Sequence, residues 1–356
     1  MSERVLITGV SSFLGASLAK VLSDAGASAG ITYVAGVDLE PPKIDMGRAE
    51  FIRADIRSPL IARVITATAV DTVVHADLTS RPGKAGGRSA QKEWNVIGTM
   101  QLLGACQRTE SISKVVVRSS TAAYGYDPGE PSILREDWIS RSQPNHGYSK
   151  DIFDAEQFAR DFGRRRPDVK LTILRLANVI GPTAETNMTQ FFSLPFVPTA
   201  LGFDPRLQLL HEEDAIEVLR RAVVQDHPGV FNVAADGVVY LSQAIRIARR
   251  LPVPIVAQLA NIVGDVLRRT GSIDFSSDQV GLILHGRVVD TTRLRSTFGY
   301  KPRYSTMDAL KEFVESRASS SKGAFGDWEK ELYALITRLG ETPASRPHAV
   351  EGSGKA

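Results

Sequence analysis

Short β-branched runs alternate with helically spaced segments through the first half of the chain, and this alternation constrains the fold more than any other feature. Apolar runs stand at Val5–Ile7, Gly30–Val37, Phe51–Ala54, Thr72–His75, Lys114–Ser119 and Leu171–Leu176. Between several of them apolar residues recur at helical spacing, as in Leu14–Leu22 and Trp94–Cys106. Strands that take turns with helices predict βαβ units and an α/β fold with a doubly wound parallel sheet. After Gly181 the pattern is broken by Pro182, Pro195, Pro198 and Pro205, which predicts a smaller, loop-rich C-terminal α/β lobe. Helical spacing returns over Leu241–Arg250 and Val256–Arg269. The expected organisation is a first domain over 1–180, with parts of 206–240 returning to it, and a second lobe over 181–317. Residues 318–356 read as a linker (SSSKG), a short helix at Trp328–Leu339 and a disordered tail.

Composition narrows the function classes. With 43% apolar and 23% charged residues the chain is ordinary for a globular protein, and a net charge of +3 over 356 residues gives no argument for a nucleic-acid partner. Arg164, Arg165 and Arg166 read as cations at the carboxyl end of a helix. Cys106 is the only cysteine and lies in an apolar run, so no disulfide framework is possible and a buried structural thiol is expected. The chain passes from MSE directly into RVLITG, without the pattern of a signal peptide, and no apolar run approaches the roughly 20 residues of a membrane span. A cytoplasmic protein with no transmembrane segment is expected.

The stretch VLITGVSSFLG reads as a buried strand, a tight turn and a helix start. Backbone N–H groups at such a start favour a pyrophosphate where glycine lets the backbone approach closely. Gly9 and Gly15 take the outer positions of the loop, and Ser12 stands where a middle glycine is usual. Val37-Asp38 ends the second strand, about thirty residues beyond the loop. A carboxylate there can hydrogen-bond both ribose hydroxyls and would repel a 2′-phosphate, so NAD is expected rather than NADP. Glu40 adds negative charge, and Lys43 is the only cation close by in sequence.

Further motifs follow in order: Asp55-Ile56 after the third strand, VDTVVHAD as the fourth, Asn95-Val-Ile-Gly-Thr in a helix, and VVVRSSTAAYG ending the fifth. RLANVIGP, LQLLHEEDA and VVDTTRLRSTFGYKP come later. From about residue 3 to 316 this series resembles the extended short-chain dehydrogenase/reductases, the NAD-dependent epimerase/dehydratase family of nucleotide-sugar enzymes. More narrowly, the chain resembles an actinobacterial subgroup of UDP-glucose 4-epimerase-like proteins. The resemblance implies an NAD-binding Rossmann fold in which Gly9, Ser12, Phe13, Leu14 and Gly15 line the pyrophosphate. It implies that Asp38 holds the adenosine ribose, that Asp55 and Ile56 flank the adenine, and that His75, Ala76 and Asn95 approach the cofactor. Ser120 takes the catalytic Ser/Thr position with Thr121 beside it, Lys150 takes the lysine position, and Asn178 matches a substrate-contacting asparagine. It also implies a homodimer through helices around Trp94–Arg108 and Tyr148–Phe162.

One motif departs from the family. Its catalytic tyrosine stands four residues before the lysine, on the same helix face. In QPNHGYSK that position is His146, while Tyr148 is two before Lys150 and would point roughly 200° around the helix from it. Neutral imidazole is a competent base near pH 7. It reaches less far than a phenol, and displacements near 1 Å can cost on the order of a hundredfold. Three readings stay open: His146 as the base, Tyr148 as the base if the helix begins later than the family pattern predicts, or a non-catalytic NAD-binding regulatory protein that keeps Lys150 for the ribose.

In the second lobe, sugar-nucleotide relatives place an arginine seven residues before the aspartate matching Asp214. Here that position is Leu207, with Arg206 next to it and Arg287 as a substitute. Asp214 itself reads as the cap of the helix AIEVLRRAV. The apolar segment LPVPIVAQLANIVGDVLRRTGS is similar to Pro-bounded helices lining greasy pockets in the sterol-dehydrogenase branch. The leading expectation is NAD-dependent oxidoreductase or epimerase chemistry on a UDP-sugar or similar small molecule. The alternative substrate is an apolar alcohol.

Overall fold

The computed structural model describes residues 3–80, 86–126, 129–138, 143–194, 196–256 and 277–320. Met1–Glu315 form one compact unit. A second begins at Ser316, and its described residues are the end of the helix Thr306–Ser320. The strands of the first half are β1 (Glu3–Thr8), β2 (Ile31–Asp38), β3 (Glu50–Arg53), β4 (Thr72–His75), β5 (Lys114–Ser120) and β6 (Lys170–Leu176). Shorter strands follow: β7 (Asn178–Ile180), β8 (Phe196–Ala200), β9 (Arg206–Leu207), β10 (Leu209–His211), β11 (Gly229–Val233), β12 (Val239–Tyr240) and β13 (Leu251–Ile255).

Seven of these form a parallel sheet in the order β11-β6-β5-β4-β1-β2-β3. This is the doubly wound Rossmann arrangement, 3-2-1-4-5-6, with β11 added beyond β6. Along β1, Val5 and Ile7 enter the core on one face and Leu6 the core on the other, the period of two that a sheet covered on both sides requires. Helices Phe13–Ala25 and Glu212–Val224 cover the first face with Leu14, Leu18, Leu22 and Leu219. Helices Ile61–Thr68, Gly98–Arg108 and Gly147–Arg165 cover the second with Ile61, Ile65, Leu102, Cys106 and Phe162. Each such buried side chain stabilises by about 1.5–3 kcal/mol. A separate core, built on Ile180, Phe191, Phe192, Leu209, Ile245 and Phe313, lies within the same compact unit.

Thr8 pairs with Val37 of β2 and with His75 of β4, so the carboxyl ends of β1, β2 and β4 stand together. That edge is where ligands bind in open α/β sheets. Cys106 is fully buried, and burial pushes its thiol up to about 12, which makes it structural. Arg166 closes its helix by donating to the carbonyls of Cys106 and Ile112 and pairing with Asp168 at 2.7 Å. Among the described residues no helix is long and apolar enough to cross a membrane.

Two expectations for the second lobe are corrected. The helix starting at Leu241 ends at Ile247 rather than Arg250, because Arg249 turns to a positive φ of 54° and β13 follows. Asp214 does not cap its helix, a role taken by His211. Its fully buried carboxylate instead accepts from Tyr300 Oη at 2.5 Å and Arg303 N at 2.9 Å, tying the 300–304 turn to the helix. The helices expected at Val256–Arg269 and Trp328–Leu339, and the tail, lie outside the described residues apart from Val256.

Candidate active site

The glycine loop follows β1. Gly9 has a φ of 79°, and a Cβ there would lie 2.8 Å from Asp77 Cα. A Cβ on Gly15 would lie 2.3 Å from the Gly9 carbonyl oxygen, so the helix start can pack against the loop only without a side chain. Ser12 supplies what a middle glycine could not: its hydroxyl donates to Gly9 O at 2.6 Å and accepts from Gly15 N at 3.3 Å, capping the helix. Asp38 is buried at the end of β2 and accepts from Ser11 N at 2.8 Å, which brings its carboxylate against the loop. Phe13 packs on the core and Leu14 lines the chamber beyond. These residues fit a dinucleotide. A Gly15→Ala variant is expected to lose NAD binding by at least about tenfold and to cost about 1–3 kcal/mol of stability, measurable as bound-NAD content and Tm.

Other expected cofactor residues sit differently. Asp55 is engaged by Arg57, Nη2 to Oδ2 at 2.8 Å, and Arg57 in turn stacks over the Trp94 ring at 4.9 Å. Burial alone would raise the Asp55 carboxyl, yet the Arg57 hydrogen bonds hold it below the usual range. Ile56 is buried beside it. His75 does not reach the cofactor side with its ring: the side chain is fully buried between Thr8 Oγ1 at 2.9 Å and Thr99 Oγ1 at 2.8 Å. Burial, reinforced by the charge of Arg118, pushes its pKa down to about 3, so the imidazole is a neutral strut. Asn95 is likewise a strut, bonding both the N–H and the carbonyl of Thr79 at 2.9 Å and so shaping the loop after β4. Ala76 is buried at the start of that loop.

The catalytic motif is the main correction. Gly147 has a φ of 72°, a left-handed conformation suited to glycine, and the helix Gly147–Arg165 begins there with His146 as its N-cap. His146 is exposed, bonded to its neighbour Asn145, and does not line the chamber. Tyr148 does line it, its ring packed with Leu78, Ala122 and Ala123. Arg88 holds this helix start by donating to Gly147 O at 2.7 Å and pairing with the fully buried Asp151 at 2.6 Å. Lys150 lies outside the chamber lining and pairs with Asp154 one turn along. Of Tyr148 and Lys150, only Tyr148 lines the chamber.

The chamber, a cavity of about 110 Å³, brings Ser120, Tyr148 and Asn178 together with Ser80, Arg118 and Asn187. Ser120 Oγ accepts from Ala122 N at 3.1 Å, which leaves its hydroxyl proton to donate into the chamber. Met188, Phe191, Leu241, Leu282 and Ile283 form an apolar wall. A second chamber, lined by Phe203, Asp204, Arg206, Tyr240 and His285, meets the first at Arg287, which lines both. Arg287 donates to Gly125 O at 3.0 Å and to Thr121 Oγ1 at 3.4 Å and lies 4.0 Å over the Tyr126 ring, while its buried Nε has no partner. Arg206 lines the second chamber alone and donates to Ser132 O at 3.0 Å.

Beneath Ser120, Ser119 points the other way and donates to Glu156 at 2.5 Å. Glu156 is paired with Arg175 at 2.7 Å, and Arg175 lies over the Tyr124 ring. Sequence reasoning missed Arg88, Arg118, Glu156 and Arg175. For Arg118 and Arg175 the available signal was a charge inside an otherwise apolar strand, in KVVVRSS and LTILRL.

A family model described as "NAD dependent epimerase/dehydratase family" matches residues 5–234, and the chain belongs to that family. It is thus an NAD-dependent enzyme of the epimerase/dehydratase type. "Uncharacterized protein Rv0501" of Mycobacterium tuberculosis is 42% identical over 343 residues, covering 94% of this chain and 90% of the relative. UDP-glucose 4-epimerase of Azospirillum brasilense is 26% identical over 362 residues, covering 95% of each. Among solved structures, MoeE5 in complex with UDP-glucuronic acid and NAD matches with a TM-score of 0.69 at 22% identity, covering 89% of this chain and 99% of that one.

Proposed function

We propose that this enzyme performs oxidoreductase or epimerase chemistry at a ring hydroxyl of a UDP-linked sugar, with Tyr148 rather than His146 as the general base. The observation that carries the reading is the convergence of Ser120, Tyr148 and Asn178 on one chamber whose mouth is held by Arg287. NAD, when bound, supplies the hydride acceptor. Tyr148, ionised to the phenolate, takes the proton of the reacting hydroxyl on Oη, while Ser120 Oγ donates a hydrogen bond to the same oxygen. Arg287, a cation that lines both chambers, suits the diphosphate between the sugar in the first chamber and the nucleotide beside Arg206 in the second. The UDP-sugar relatives support the substrate class. The apolar wall of the first chamber favours a second reading, a dehydrogenase of an apolar alcohol.

A single-turnover experiment separates the two. The NAD-loaded protein is mixed with UDP-glucose, UDP-glucuronate or a sterol-like alcohol, and the absorbance of reduced nicotinamide is followed. A signal with a UDP-sugar is expected. A signal with the apolar alcohol alone would replace the first reading by the second, and silence with all three would remove both.

A further inference from the structure

We propose that Arg118 recognises a carboxylate on the substrate sugar, which makes the first chamber a site for a nucleotide-linked hexuronate in preference to a neutral hexose. This rests on the nucleotide-sugar reading above. Side chains alternate along a strand, so Arg118 and Ser120 leave β5 on the same side while Ser119 turns toward Glu156. Arg118 and Ser120 both line the chamber that holds Tyr148, and Ser80 and Asn187 line it with them.

Among the described residues no carboxylate pairs with Arg118. Its Nη1 donates to the Leu78 carbonyl, and its buried Nε has no partner. Neighbouring arginines are answered differently: Arg57 by Asp55, Arg88 by Asp151 and Arg175 by Glu156. A half-buried guanidinium facing a ligand chamber without a carboxylate is costly in the empty protein, and a ligand carboxylate removes that cost with charge-assisted hydrogen bonds. A hydroxymethyl group in the same place offers no charge. Arg287 stands at the junction with the second chamber, so the two uncompensated arginines match the two anionic parts of such a ligand: the diphosphate and the sugar carboxylate.

Calorimetric titration of the NAD-loaded protein with UDP, UDP-glucose and UDP-glucuronate tests this in the wild type and in Arg118→Gln and Arg118→Lys. The wild type is expected to bind UDP-glucuronate about 10- to 100-fold more tightly than UDP-glucose. Arg118→Gln should bring that ratio close to one with UDP affinity intact, and Arg118→Lys should keep part of it. Should Arg118→Gln not fold, the lysine variant and the wild-type ratio still decide. Equal binding of the two sugars by the wild type, with UDP bound, overturns the role of Arg118 and leaves the nucleotide-sugar reading standing. No binding of any UDP ligand overturns both. Loss of bound NAD in Arg118→Gln with the sugar ratio unchanged also overturns it, and assigns the guanidinium to a cofactor phosphate.

Discussion

A Tyr148→Phe variant is expected to lose about 10²–10⁴-fold in kcat, with bound NAD unchanged, while His146→Ala stays within a few-fold of the wild type. The reason is placement: the Tyr148 ring is buried among Leu78, Ala122 and Ala123 at the chamber wall, and His146 is exposed at the helix cap. Removing the phenolic oxygen deletes a proton acceptor and leaves the packing of the ring intact. His146→Tyr should bring no gain, because a phenol at the cap points where the imidazole does. Steady-state kinetics on the three variants, with NAD content measured alongside, makes the comparison. Activity retained by Tyr148→Phe and lost by His146→Ala would return the role to the histidine.

Arg175→Met is expected to destabilise the protein by about 3–5 kcal/mol, the usual consequence of leaving one half of a buried ion pair uncompensated. Arg175 and Glu156 are both buried, and Glu156 also accepts from Ser119 directly before Ser120, so the same change should loosen the catalytic strand. Burial by itself would raise the Glu156 carboxyl, but Arg175 and Ser119 hold it below the ordinary value. A carboxyl whose folded pKa is depressed contributes stability above the unfolded value of about 4.3, and that contribution is lost as pH falls through the folded value. Without Arg175 the burial cost prevails, the folded pKa rises, and the sign reverses: stability is lost as pH rises through the new value. Urea unfolding of Arg175→Met and of Arg175→Met/Glu156→Gln across that range reads both effects. The double variant should recover much of the loss, and a single variant as stable as the wild type would remove the pair from the account.

The strands of the sheet were legible because a doubly covered parallel strand needs a mostly apolar run, as Val73–Val74 and Val115–Val117 provide. The cofactor loop was legible because only glycine can stand at 15 against the Gly9 carbonyl, and Asp38 because a strand end presents its side chain to the loop beside it. His75 and Asn95 were placed near the cofactor by position, yet their side chains turn inward to Thr8, Thr99 and Thr79, bonds made across the sheet or between a helix and a loop. The second lobe was the least legible: β13 pairs with β8 across some fifty residues, and no local period announces such a pairing.

QPNHGYSK shows where the division falls. The sequence by itself determined that a lysine follows a histidine and a tyrosine at the start of a helix, and that a parallel sheet carries that helix beside a dinucleotide loop. Counting residues presumes a continuous helix through position 146. Only the tertiary structure decided where the helix begins, since the left-handed turn at Gly147 is held by Arg88, which reaches Gly147 O and Asp151 from elsewhere in the fold. That contact spans about sixty residues, and it sets Tyr148 in the chamber wall while leaving His146 at the surface.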